Sequence, residues 1–285
     1  PELKEVTLER AIITIQSVRE ASILEDHIAY VRLSDFREKT ASDLESAVKR
    51  LRGEAMDSLI LDLRNNPGGL LDVSVSVAEL FLQRNQVIVS TKGRLRNQNQ
   101  EMRARIDGLV NDIPRVILIN EGSASASEIV AGAIQDYRRG LVIGSQTFGK
   151  GTVQSIAPLS EGQLKLTESK FYRVSGDSTQ NRGVIPDIAF PSLYSVEEVG
   201  ESSEKHALPW DSINGLPHRI YSDNATLIPR LRASHLTRSA NDPDWNFMLD
   251  EMALVEKQRN QYTLSLNKRE RQRTQEVQEK TLFEL

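Results

Sequence analysis

Three short segments of the chain carry residue types and spacings that can do covalent chemistry. Gly122-Ser123-Ala124-Ser125-Ala126-Ser127-Glu128 sets three hydroxyls among small residues, between an apolar run and a helical pattern. At such a turn a substrate backbone can approach closely, and the helix N-terminus favours developing negative charge. Gly144-Ser145-Gln146-Thr147-Phe148-Gly149-Lys150-Gly151 pins a lysine between two glycines after an apolar strand. Desolvation there lowers a lysine pKa toward neutrality and makes the amine a usable base. Asp62-Leu63-Arg64-Asn65-Asn66-Pro67-Gly68-Gly69 closes another apolar strand with a Gly-Gly turn, whose backbone N–H groups can face an oxyanion. Each segment also has a plainer meaning. Ser125-x-x-Glu128 is a capping box, Lys150 can be a lysine snorkelling from a loop, and residues 65–69 can be a simple turn.

The lysine segment nearly satisfies the phosphate-cradling pattern G-x-x-x-x-G-K-[ST]. Gly151 stands where a hydroxyl for Mg²⁺ belongs, and Thr152–Pro158 is β-branched and ends in proline, so no helix N-terminus follows. A P-loop-like nucleotide-binding protein stays as an alternative that tight Mg-ATP binding would support. The four histidines, His27, His206, His218 and His235, lie far from the three segments in sequence, and there is no Gly-x-Ser-x-Gly elbow. His27 stays as an alternative base if the fold brings it near. No His-Glu-x-x-His or carboxylate cluster points to a metal, and the absence of cysteine removes thiol catalysis and disulfides.

The elements that must position these segments follow from hydrophobic periodicity. Apolar alternation predicts strands over Ala11–Val18 and Ile28–Leu33, with a polar turn between them. Thr40–Met56 reads as an amphipathic helix with Leu44, Val48 and Leu51 on one face. Strands are predicted at residues 58–63, 86–91, 116–120 and 141–144, and helices at residues 70–83 and 125–137. Residues 152–174 return to strand-like alternation. Alternating strand and helix predicts an α/β core with a mostly parallel sheet and flanking helices, its site beyond the carboxyl ends of the strands. Residues 197–205 are acidic and read as a linker, and the charged, helix-prone stretch from Asn224 predicts a small helical unit. The resulting division is a core over residues 1–195 and a mainly helical extension over 196–285.

With 39% hydrophobic residues, 285 residues can bury one large core with a satellite unit. A net charge of −4 gives no basic footprint for nucleic acid, and the basic run at residues 267–273 reads as a solvated helix face. No apolar run approaches the ~20 residues of a membrane span. The opening residues have no signal-peptide pattern.

Taken in order, Leu61–Gly69, Gly122–Glu128 and Thr147–Gln154 strongly resemble the carboxy-terminal processing, or tail-specific, proteases. Phe171-Tyr172-Arg173-Val174 and Gly183-Val184-Ile185-Pro186-Asp187 match the same pattern, so the resemblance spans roughly residues 6–192. Ala207–Ile213 and the helical tail resemble the extension of the longer bacterial members. The resemblance implies a crotonase/Clp-like core and a cofactor-free Ser/Lys mechanism. The family's lysine lies 25 residues beyond its serine, which assigns Ser125 as nucleophile and Lys150 as general base. It further implies that Gln154 orients the lysine, that Asp136 supports activity from a distance, and that Ala126 with Gly68 or Gly69 donates to the oxyanion. Substrates are then proteins with apolar C-terminal tails, in a periplasmic or other extracytoplasmic compartment, with an adaptor or lipoprotein as a further partner. Family members place a PDZ domain just before a strand like Val6–Val18, so the expectation is a core without that module. A non-catalytic adaptor on the same scaffold is the remaining alternative.

Overall fold

The computed structural model describes Thr7, Arg10, residues 15–260 and residues 263–284. Strand β1 (Val18–Ile23) turns through Asp26 and His27, both at positive φ, into β2 (Ile28–Leu33), and the two pair antiparallel. Residues 11–14 of the predicted strand Ala11–Val18 lie outside the described residues. Alternation in β2 buries Ala29, Val31 and Leu33 completely, as period-2 patterning requires.

Helix α1 (Thr40–Gly53) buries Leu44, Val48 and Leu51 on one stripe. It stops short of Met56 because Ala55 adopts a left-handed φ of 63°, and the Met56 N–H turns back to the Leu51 carbonyl at 3.2 Å. Strand β3 (Ser58–Asp62) follows, then α2 (Leu71–Glu79). The expected continuation of α2 to Gln83 tightens instead, with Leu80, Phe81 and Leu82 each bonding three residues back while all three stay buried.

Next come β4 (Val87–Gly93), β5 (Gln100–Arg103), β6 (Arg115–Ile119), α3 (Ala126–Asp136) and β7 (Leu141–Gly144). The chain continues through β8 (Thr152–Pro158), β9 (Gln163–Tyr172) and β10 (Ile188–Ala189). One sheet runs β1-β2-β3-β6-β7-β10 and is parallel from β2 onward. The other, β5-β4-β9-β8, is antiparallel. This is the α/β class that the alternation predicts. The core lies between the first sheet and α1 to α3, where fully buried Leu44, Leu61, Phe81 and Ile117 each contribute about 1.5–3 kcal/mol.

The stretch 197–205, expected as a linker, is docked instead. It forms α4 (Val196–Val199) and a further turn, with Val196 and Gly200 buried and the Glu201 N–H on the Phe148 carbonyl at 2.9 Å. Acidic composition marks its solvent face only. Three helices follow, α5 (Asn224–Ser239), α6 (Pro243–Arg259) and α7 (Lys268–Glu284). Asp223 and Asp242 cap the first two, and Pro243 opens α6. Phe190 of the core stacks on His235 at 4.7 Å and meets Trp245 edge-on at 5.5 Å.

Candidate active site

Two loops leave the carboxyl ends of β3 and β6 and are laced together by their own side chains. The Asn120 carboxamide accepts from the Asn65 N–H at 2.8 Å and donates to the Asn65 side chain at 2.9 Å. Asn66 is fully buried, and its carbonyl receives the Ala124 N–H at 3.0 Å and the Ser127 hydroxyl at 2.9 Å. Ser123 donates to the Leu63 carbonyl at 2.7 Å. Ser123 and Ser127 are thus both buried, with their hydroxyls engaged in holding backbone.

Ser125 differs from both. It is half-buried, its hydroxyl makes no cap hydrogen bond, and its backbone sits at φ 54°, ψ −110°. A non-glycine residue in that region is strained by on the order of 1–3 kcal/mol and persists only where its surroundings impose it. The plain capping-box reading therefore half fails: the serine side chain does not cap, while Glu128 does reach back to the Ser125 N–H at 2.7 Å.

Glu128 does more, and the sequence reading missed it. Its carboxylate is fully buried and takes four donors. One oxygen receives the Ser125 and Lys150 N–H groups at 2.7 and 3.0 Å. The other receives the Thr147 hydroxyl and the Gly149 N–H at 2.6 and 2.7 Å. One side chain thereby locks the serine turn to the lysine loop. Burial pushes its pKa up to about 7, against the pull of Thr147 and the three N–H groups. The available signal was a lone acid in the otherwise apolar opening of α3.

The lysine loop lies on residues 179–184. Gly149 has φ +91°, and a Cβ there would sit 2.9 Å from the Asn181 backbone; one on Gly151 would sit 2.6 Å from the Gln180 nitrogen. The Asn181 N–H bonds the Gly149 carbonyl at 2.8 Å, and the Gly151 N–H bonds the Gln180 side chain at 2.9 Å. The glycines thus fit a close backbone approach. The segment after them is strand β8, not a helix, which removes the P-loop alternative.

Ser125, Ala126, Lys150, Gln154, Gly68 and Gly69 all line one cavity of about 410 Å³, walled by Leu70, Leu71, Ile129, Val153 and Phe171. Gly68 abuts the serine turn: a Cβ on it would lie 2.8 Å from the Ala126 nitrogen and 2.9 Å from the Ser125 Cβ. Its N–H is already held by the Asn66 side chain at 3.0 Å. The Gly69 and Ala126 N–H groups have no such partner. Gln154 follows a bulge in the β8–β9 pairing, and its amide donates to the Thr167 hydroxyl at 3.1 Å rather than to Lys150.

Asp136 does not line this cavity. It ends α3 and pairs with the half-buried Arg173 just beyond β9, whose Nε lies 3.1 Å from its carboxylate. Arg173 follows Phe171 and Tyr172, so the pair anchors the cavity wall to α3. His27 is exposed at the opening of β2, the far end of the strands from both loops. Among the described residues no cluster could hold a metal ion, and no helix is long and apolar enough to cross a membrane.

Comparison with known proteins is consistent with this geometry. The model of peptidase family S41 matches residues 27–190, and that of the C-terminal domain of tail specific protease matches residues 194–285. A carboxy-terminal-processing protease of Bartonella bacilliformis is 47% identical over 209 residues, covering 70% of this chain and 48% of that protein. A tail-specific protease of Haemophilus influenzae is 37% identical over 258 residues, covering 85% of this chain and 36% of that protein. The chain thus spans half or less of the length of these relatives. Among solved structures, a photosystem II D1 C-terminal processing protease superposes with a TM-score of 0.53 at 31% identity, covering 64% of this chain and 48% of that one.

Proposed function

This chain belongs to peptidase family S41, and from that premise we propose that it is the catalytic core of a serine endopeptidase acting at or near apolar C-terminal tails of proteins. The observation that carries the reading is the contrast among the three serines: the hydroxyls of two are buried and bonded to backbone, while Ser125 is strained, half-buried and makes no cap hydrogen bond through its hydroxyl, on the cavity it shares with Lys150.

In this reading the Ser125 oxygen bonds to the scissile carbonyl carbon as its proton passes to the neutral Lys150 amine. The oxyanion is met by the N–H groups of Ala126 and Gly69, the pair left free of internal partners. Collapse breaks the C–N bond, the lysine returns its proton to the leaving amine, and an acyl ester remains on Ser125. Water deprotonated by Lys150 then releases the new carboxyl terminus. Gln154 turns from Thr167 to orient the lysine, and Asp136 acts through Arg173. No cofactor takes part. The apolar wall of Leu70, Leu71, Ile129, Val153 and Phe171 suits apolar side chains of the substrate.

The division into a core over 1–195 and a helical extension over 196–285 belongs to the same proposal, supported by the two family matches meeting at residues 190–194. So do a periplasmic or other extracytoplasmic location and an adaptor or lipoprotein partner, which rest on the family resemblance. The test is labelling by a fluorophosphonate with peptide mapping, beside hydrolysis of a peptide ending in apolar residues. Adduct on Ser125 and loss of on the order of 10⁶ in rate for Ser125→Ala are expected. Near-normal activity in Ser125→Ala would refute the assignment.

A further inference from the structure

Strand β9 pairs with β4 only through residues 169–172, so residues 154–167 run beyond that sheet as a two-stranded ribbon of β8 and β9. Past the bulge at Val153 and Gln154 the pairing is regular, and residues directly opposite one another share a face. One face carries Gln154 opposite Thr167, Ile156 opposite Lys165 and Pro158 opposite Gln163. The Gln154 amide on the Thr167 hydroxyl, at 3.1 Å, belongs to that face. It is the face turned toward Ser125, because Gln154 and Lys165 both line the cavity that holds the serine. Lys165 stands two positions along β9 from Thr167, a strand repeat of about 7 Å.

Lys165 has no role in the chemistry described so far. It is exposed, and its ammonium makes no hydrogen bond or ion pair among the described residues. Lys170, on the same strand, is by contrast bonded to the Pro209 carbonyl at 2.6 Å and paired with Asp211 at 3.1 Å. No aspartate or glutamate lines the cavity, and none lies on the cavity face of the ribbon. Lys150 and Lys165 are the two ionisable side chains in the lining, and Lys150 works in its neutral form in the mechanism above. The cavity thus presents a positive charge with no internal counterion, beside a wall of apolar side chains.

We propose that Lys165 is a specificity-determining residue, binding a carboxylate of the substrate near the scissile bond; this rests on the peptidase reading of the cavity. The carboxylate is either the free terminus of the chain or an acidic side chain next to the cleaved bond. An ammonium offers three donors and no acceptor, so it favours an anion over the amide of a continuing chain. On a long, flexible stem it meets that anion as a point charge, without the fixed fork of an arginine. At an open rim such a pair is screened by water and salt, and its effect on affinity is about three- to tenfold.

The test uses fluorescein-labelled peptides of one apolar sequence, ending in a free carboxylate, in an amide, or in an amide preceded by aspartate. Fluorescence anisotropy with the full chain carrying Ser125→Ala reads their affinities without turnover. One of the two carboxylate peptides should bind about three- to tenfold tighter than the plain amide, a preference that fades as salt is raised. Which of the two it is identifies the source of the carboxylate. Adding Lys165→Gln should bring that peptide down to the plain amide, whose own affinity is held, and Lys165→Arg should keep the preference. Lys165→Glu should reverse it, in favour of a peptide with lysine in place of the aspartate. Equal affinity of all three peptides, no binding by any of them, or a preference that survives Lys165→Gln would each overturn the proposal. Fluorophosphonate labelling of the unaltered chain is read separately. Failure there, with the Lys165-dependent preference intact, would sink the serine assignment and leave the carboxylate site standing.

Discussion

Replacing Glu128 by glutamine probes the join between serine and lysine while keeping the side chain's shape. Each carboxylate oxygen accepts two hydrogen bonds, and an amide can accept at only one end. Placed toward Ser125 and Lys150, the NH₂ would strand two backbone N–H groups. Placed toward Thr147 and Gly149 it strands one, because the Thr147 hydroxyl can turn to accept. The variant should choose the second arrangement and lose about 1–3 kcal/mol, the cost of one buried, unmet donor. The lysine loop would then shift at Gly149, next to Lys150, and a displacement of about 1 Å can lower turnover by ~10².

A pH arm separates this from simple damage. The carboxyl titrates at 4.5 when exposed and is pushed up to about 7 by burial in the fold. Its protonation therefore favours the folded state, a stabilisation that is whole below about pH 4.5 and lost as the pH rises through about 7. At ~1.4 kcal/mol per pH unit of displacement, wild type should lose on the order of 3 kcal/mol over that window relative to Glu128→Gln. Urea denaturation at several pH values reads the stability, and the fluorophosphonate labelling rate reads the site. Wild-type stability and labelling rate in Glu128→Gln at every pH would sink the argument.

Lys150→Arg should be folded but without turnover, since a guanidinium does not give up its proton in a protein; a hydrolytically active variant would mean that another group is the base. Ser123→Ala should leave a nucleophile but lower stability by about 1–2 kcal/mol, by orphaning the Asn120 N–H and leaving the Leu63 carbonyl with the Asn66 N–H as its remaining donor, and its denaturation midpoint checks this. Gly69→Ala should fail more severely, because its Cβ would meet the Phe36 carbonyl oxygen at 2.1 Å at a φ of +153°; circular dichroism and labelling together should report a disturbed fold. Limited proteolysis should cut first near the exposed Leu264 and Leu266, ahead of the docked turns at residues 197–205, as mass spectrometry of the early fragments would show.

What the sequence disclosed follows from what is local. Strong period-2 and helical patterning gave the sheet strands and α1 to α3 because apolar burial there is nearly complete on one face. β5 escaped notice because Gln100–Arg103 is a polar edge strand, held by backbone pairing to β4 rather than by side chains. Composition misjudged residues 197–205, since the docking depends on small Gly200 fitting under the Phe148 carbonyl, a contact between distant segments. The serine and lysine loops of the candidate site were visible as motifs. The role of Glu128 was hidden, because its spacing to Ser125 shows a cap whereas its bonds to Thr147, Gly149 and Lys150 exist only in the folded chain. Which of Gly68 and Gly69 has its N–H held internally likewise depends on the Asn66 side chain, a contact that sequence does not show.

The bed beneath the lysine has a consequence for synthesis. Gly149 and Gly151 rest on Asn181 and Gln180, and the Val184 N–H holds the Thr147 hydroxyl at 2.6 Å. A growing polypeptide that has reached Lys150 still lacks these partners, and β7 also lacks its neighbour β10. Contacts that join segments this far apart form late in folding, after local helices and hairpins. On the proposed Ser125/Lys150 reading, the base is therefore set against its serine only when about forty further residues have left the ribosome and packed. On that reading an unfinished chain holds no assembled serine–lysine pair, and the order of emergence acts as a safeguard written into the topology itself.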